Sequence, residues 1–99
     1  MKTAFIELKS PQESDPANTI SRYATKAEST IILFEDGVYH AVVKRAADKL
    51  KAGASEVLVA ADDLEGRGFS SADLKVGRAV EYAEIVESIM ERTERTITL

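Results

Sequence analysis

Two short acidic segments hold the residues best suited to chemistry. The first is Glu35-Asp36-Gly37, followed by Tyr39 and by His40, the only histidine in the chain. The second is Asp62-Asp63, followed by Glu65 and by Arg67. A histidine beside carboxylates is suited to moving a proton near neutral pH. Carboxylates at the end of a strand are suited to Mg²⁺ or a phosphoryl group. Each group also has a plainer use. Asp36 at a helix start caps free N–H groups, and Gly37 permits a tight turn. His40, one turn into a helix, suits a half-buried or interface position. Asp62-Asp63 suits a solvated turn with a helix cap. The thiol nucleophile is missing: none of the 99 residues is cysteine. The chain therefore has no disulfide, no thiolate metal site and no sulfur nucleophile of its own. Ser10 and Ser21 are the serines a hydrolase would pair with His40, and neither has an adjacent base to activate it. His40 lacks companions at metal-ligand spacing. Neither phosphate-cradling glycine motif precedes a helix. The expectation is no metal and no cofactor.

These segments need elements to position them. The run Ile31-Ile32-Leu33-Phe34 is continuously apolar and stops at the acidic turn, the mark of a strand buried on both faces. Loops at the end of such a strand are where open α/β sheets bind ligands. Before it, Thr3–Leu8 reads as a first strand, with Ala4, Ile6 and Leu8 on one face and Phe5 opposite. Lys9–Ser14 is a loop. Asp15-Pro16 starts a helix that ends near Glu28, with Ala17, Ile20, Ala24 and Ala27 at helical spacing. After Gly37, the stripe Val38, Ala41, Val42, Ala46 and Leu50 predicts one helix ending at Gly53. Glu56–Ala61 is a further apolar strand, and Asp62–Gly68 an acidic turn. Leu74–Val80 reads as a fourth strand interrupted by Gly77 and Arg78. Tyr82, Ile85, Val86, Ile89 and Met90 form the stripe of a last helix. Thr96–Leu99 is β-prone and suits an edge strand. The order β-α-β-α-β-β-α-β predicts a three-layer α/β/α domain over 1–99, of flavodoxin-like topology, with a mostly parallel sheet of about five strands.

The totals bound the function class. A hydrophobic share of 44% and a charged share of 30% describe an ordinary globular domain. The net charge of −4 argues against direct nucleic-acid binding, which asks for a basic stripe. Lys44, Arg45, Lys49 and Lys51 read either as a docking stripe for an acidic partner or as a solvated helix face complementing the helix dipole. Tyr39, Phe69 and Tyr82 are interface candidates, aromatics being enriched there; Tyr82 serves equally as core. No run approaches membrane-spanning length, and the first residues do not read as a signal peptide. A cytoplasmic location is expected.

Four segments in order resemble the DsrH/TusB family of sulfur-relay proteins, within the DsrE-like superfamily. They are Lys9-Ser10-Pro11, Phe34-Glu35-Asp36-Gly37-Val38-Tyr39, the stretch Leu58–Phe69, and Val80–Ile89. The resemblance implies a subunit that assembles with DsrE-like and DsrF-like subunits. Such complexes pass persulfide sulfur between cysteines, toward 2-thiolation of a tRNA wobble uridine or in sulfur oxidation, with a persulfide carrier protein as a possible partner. Some members carry a cysteine in the first helix; that position falls near Ile20 or Ser21 in this chain. A serine hydroxyl cannot hold a persulfide. The resemblance therefore implies a non-catalytic subunit, acting by assembly in a hetero- or homo-oligomer. Binding or interface candidates are Glu35, Asp36, Gly37, Tyr39, His40, Asp62, Asp63 and Arg67. The alternative is a free-standing homodimeric module binding a small ligand or nucleotide.

Overall fold

Short apolar runs separated by helical segments leave each strand nowhere to pair except beside another strand, with the helices on the faces. The computed structural model describes residues 1–99. Its five strands are β1 (Thr3–Glu7), β2 (Ser29–Leu33), β3 (Glu56–Ala60), β4 (Arg78–Val80) and β5 (Arg95–Thr98). They form one sheet in the order β4-β3-β2-β1-β5, and every pairing is parallel. The α/β class and the strand count are as the sequence predicts, and the C-terminal strand takes the edge.

Alternation along the strands divides the core in two. Phe5, Ile31, Leu33, Val57 and Val59 point to one face. That face is covered by α1 (Pro16–Tyr23), α2 (Tyr39–Val42), α3 (Lys44–Gly53) and α4 (Ala61–Gly66), through Ile20, Ala41, Leu50 and Leu64. Ala4, Ile32, Leu58, Ala60 and Val80 point to the other face, where Ile85 of α5 (Tyr82–Glu87) meets them. A π-turn, Ser88–Arg92, continues α5 and adds the half-buried Ile89.

Four expectations need correction. The first helix is shorter than predicted: α1 ends at Tyr23, and only a 3₁₀ turn, Lys26–Glu28, follows. The helix expected from Val38 to Gly53 is a 3₁₀ turn (Glu35–Val38), then α2, then α3, broken at the extended Val43. Two consecutive β-branched residues, Val42 and Val43, weaken the helix at that point. The acidic segment after β3 is not a turn throughout; α4 takes Asp62 to Gly66 and leaves only Arg67-Gly68 as the turn. The fourth strand starts at Arg78 because Gly77 sits at φ +73, where an added Cβ would lie 2.4 Å from the Val57 carbonyl oxygen.

Candidate functional site

The strands β2 and β3 are neighbours, so the segments that follow them lie side by side at the C-terminal edge of the sheet. The Glu35 N–H donates to Asp63 Oδ2 at 2.8 Å. Arg67 Nε donates to Asp36 Oδ1 at 3.0 Å, and its Nη1 donates to the Asp63 carbonyl at 3.3 Å. Tyr39 and Phe69 stack edge to face, with centroids 5.8 Å apart. The tertiary fold thus joins Glu35, Asp36, Tyr39, Asp63 and Arg67 into one patch, with Phe69 beneath. Glu35 adopts φ 49, a left-handed conformation that costs a non-glycine residue energy. The bond from its N–H to Asp63 helps to hold it there. Asp36 does not cap a helix as expected; it pairs with Arg67, and the Phe34 cap position has no side-chain bond. Gly37 is required by close approach. A Cβ there would lie 2.2 Å from the Glu7 carbonyl oxygen.

Two of the expected residues point elsewhere. Asp62 borders an apolar cleft of about 250 Å³ between Phe34, Ala60, Val80, Tyr82 and Ile85. His40 is buried, and its Nε2 donates to the Lys9 carbonyl at 2.9 Å. A carbonyl oxygen only accepts, so Nε2 carries the proton. Burial lowers the His40 pKa below its ordinary value, against the opposing pull of the Lys9 carbonyl and of the Glu7 and Asp15 carboxylates. Beside it lies Glu7, fully buried at the end of β1, 3.8 Å from Nε2. Glu7 accepts the Lys9 N–H at 3.2 Å and the Ser14 hydroxyl. Sequence reading missed Glu7 and Ser14. The available signal was a lone carboxylate within the expected strand Thr3–Leu8, between Ile6 and Leu8. His40 therefore ties the loop after β1 to α2, with no nucleophile in its contact set.

The basic residues are also repositioned. The break at Val43 places Lys44 and Arg45 in the first turn of α3, at the positive end of the dipole rather than the negative end expected. Lys44 pairs with Asp48 at 2.9 Å and Lys49 with Asp15 at 3.6 Å. Asp15 precedes α1 as expected, yet makes no capping bond. A cleft of about 210 Å³ between α1 and α3 is lined by Ser14, Asp15, Pro16, His40, Arg45 and Lys49, among others. In α1, Ile20 faces inward and is fully buried, while Ser21 faces solvent and donates to the Asn18 carbonyl at 2.8 Å.

Tyr82, which suited core and interface equally by sequence, is not core: it is 68% exposed. No helix is long and apolar enough to cross a membrane.

Comparison with known proteins places this architecture. No curated protein matches the chain. Among solved structures, it is similar to the solution NMR structure of protein Tm0979 from Thermotoga maritima. The two share 30% sequence identity at a TM-score of 0.61, over 85% of this chain and 87% of that one. The family model described as "DsrH like protein" matches residues 9–95, a span that takes in the joined segments, both clefts and Ile20. The chain belongs to the DsrH-like family, a sulfur-relay-associated family.

Proposed function

We propose that this protein is a non-catalytic subunit of a cytoplasmic sulfur-relay system. Its work is assembly with DsrE-like and DsrF-like subunits, whose cysteines carry the persulfide. A persulfide carrier protein is the expected donor or acceptor, and the pathway is tRNA wobble-uridine 2-thiolation or sulfur oxidation. The observation that carries this reading is a family match across nearly the whole chain in a sequence without cysteine. By the resemblance, the family's cysteine position falls near Ile20, which is a core residue, or Ser21. The patch of Glu35, Asp36, Tyr39, Asp63 and Arg67 suits recognition more than catalysis. Asp36 and Asp63 accept from Arg67 and from the Glu35 N–H, bonds that tie the two segments together, and no nucleophile stands beside them.

The test is solution mass by light scattering, for the chain alone and mixed with the DsrE-like and DsrF-like proteins of the same organism. A larger mixed complex is expected. A homo-oligomer indifferent to both proteins overturns the reading. The alternative, a small-ligand module, is less well served. The clefts near the C-terminal ends of the strands measure about 210 and 250 Å³, below the roughly 300 Å³ at which ligand pockets usually begin, and the larger cleft of about 400 Å³ lies elsewhere, among Lys26, Lys51, Ser55, Glu56 and Arg78, away from the joined segments.

A further inference from the structure

The first turn of α3 is charged against its own dipole. The helix starts at the break after Val43, no side chain caps it, and its first turn holds no carboxylate. The first N–H groups of a helix have no partner within it, and the field there favours an anion. The turn instead carries two cations, Lys44 and Arg45. Lys44 is paired with Asp48, whereas Arg45 is exposed and makes no ion pair. Val43, Arg45 and Ala46 all line the 210 Å³ cleft between α1 and α3. A second group opens on the same cleft. His40 lines it and is only 2% exposed. Its Nε2–H is committed to the Lys9 carbonyl, so Nδ1 holds a lone pair. Nδ1 makes no hydrogen bond, yet it is not sealed, since the one sealed side-chain polar atom without a partner is Ser88 Oγ. Acceptors this deep are normally paired.

The cleft therefore offers cationic and N–H donors together with one unpaired acceptor. A fully ionised oxyanion would satisfy the donors and set its lone pairs against that of Nδ1. A neutral donor would satisfy Nδ1 and leave Arg45 and the helix end unanswered. An oxyanion that carries its own proton answers both. We propose that the cleft between α1 and α3 binds a small tetrahedral oxyanion bearing an acidic proton, of which hydrogen phosphate is the type. Its O–H donates to His40 Nδ1, and its other oxygens accept from Arg45 and from the first N–H groups of α3. The space agrees. At about 30 Å³ for each water-sized atom, four oxygens need roughly 120 Å³, well within the cleft, whereas a nucleotide does not fit. The other charged groups near the ring sharpen the choice. Asp15 lines the cleft and is held by Lys49 at 3.6 Å. Glu7 stands 3.8 Å from Nε2 and accepts the Lys9 N–H and the Ser14 hydroxyl. Both carboxylates weigh against the more highly charged, proton-free anion.

The site stands apart from the assembly reading and does not depend on it. The test titrates the full chain with inorganic phosphate and, separately, with sulfate, at neutral pH and constant ionic strength. At that pH phosphate always carries a proton and sulfate carries none. The readouts are the amide resonances of Lys44 to Ala46 and the ring nitrogens of His40 by NMR, with affinities from calorimetry. Saturable shifts at these positions are expected with phosphate, and sulfate should bind about 10-fold or more weakly, because it leaves Nδ1 without a donor. Arg45→Gln should weaken phosphate about 10-fold. Lys44→Gln removes the same charge from the same turn, outside the cleft lining, and should change the affinity less than about twofold. Both side chains are exposed, and circular dichroism checks that each variant stays folded. Sulfate binding as tightly as phosphate overturns the role of Nδ1 and the proton-bearing ligand. Phosphate shifts that Arg45→Gln and Lys44→Gln diminish alike mean only diffuse attraction to surface cations, and overturn the site. The absence of any saturable shift at α3 or His40 overturns it as well.

Discussion

Placing a thiol at residue 20 or at residue 21 separates burial from chemistry. Ile20 is fully buried between α1 and the sheet, whereas Ser21, its neighbour, is exposed. In Ile20→Cys the sulfur is reached only when α1 lifts away. Lifting exposes residue 20 and Pro16, the two buried residues of this helix, at about 3 kcal/mol of lost burial. At about 1.4 kcal/mol per factor of ten, roughly one molecule in 10² is open at any moment. Burial also raises a thiol's pKa and so lowers the reactive thiolate fraction. Ile20→Cys should therefore react with dithiobis(nitrobenzoic acid) about 10²-fold or more slowly than Ser21→Cys at pH 8. Both should react alike in denaturing urea. The Ile20→Cys substitution should also cost about 1–2 kcal/mol of stability, between the usual costs of Ile→Val and Ile→Ala. Equal labelling of the two variants in the folded protein would refute the inward placement of residue 20. It would also remove the reason for holding that a thiol at position 20 of this chain would be inert.

Two further perturbations follow from the same geometry. Gly37→Ala drives a Cβ to within 2.2 Å of the Glu7 carbonyl oxygen, and should cost about 1–3 kcal/mol in urea denaturation, the usual range for overpacking; an unchanged midpoint would mean that the Glu35–Val38 turn is not seated on β1. The folded-state pKa of His40 lies below its unfolded value of 6.5, so the unfolded chain binds the extra proton and stability is lost as pH falls through 6.5 toward the folded value; His40→Gln, which retains a donor for the Lys9 carbonyl, should flatten that part of the stability profile, and an unaltered slope would contradict the burial of this ring.

The legible parts of this molecule are those set by local pattern. A continuous run such as Ile31–Leu33 can be satisfied only between two covered faces, and Asp15-Pro16 starts a helix wherever it stands in this fold. The joined segments were legible as candidates because Glu35-Asp36-Gly37 and Asp62-Asp63 both follow such strands. Their pairing, Asp36 with Arg67 and the Glu35 N–H with Asp63, was not. It depends on β2 lying next to β3, and strand adjacency is a property of the whole sheet. The partners of His40 were not legible for the same reason. Those partners, Lys9 and Glu7, lie far off in the sequence, and the break at Val43 depends on how the segments on either side of it seat against the sheet.

By itself the amino-acid sequence determined the class of fold, the number of strands, the absence of a sulfur nucleophile and the family to which the chain belongs. Each of these follows from composition, short-range spacing or the order of motifs. Only the tertiary structure decided which apolar side chains are consumed in folding. Tyr82, Ile85, Val86, Ile89 and Met90 all read as one buried stripe, because periodicity records what a helix is able to bury and not what it has to bury it against. One face of the sheet is covered by α1–α4 and the other by α5 with the π-turn that continues it. With no second helix beside them, these leave Tyr82, Val86 and Met90 on the outside.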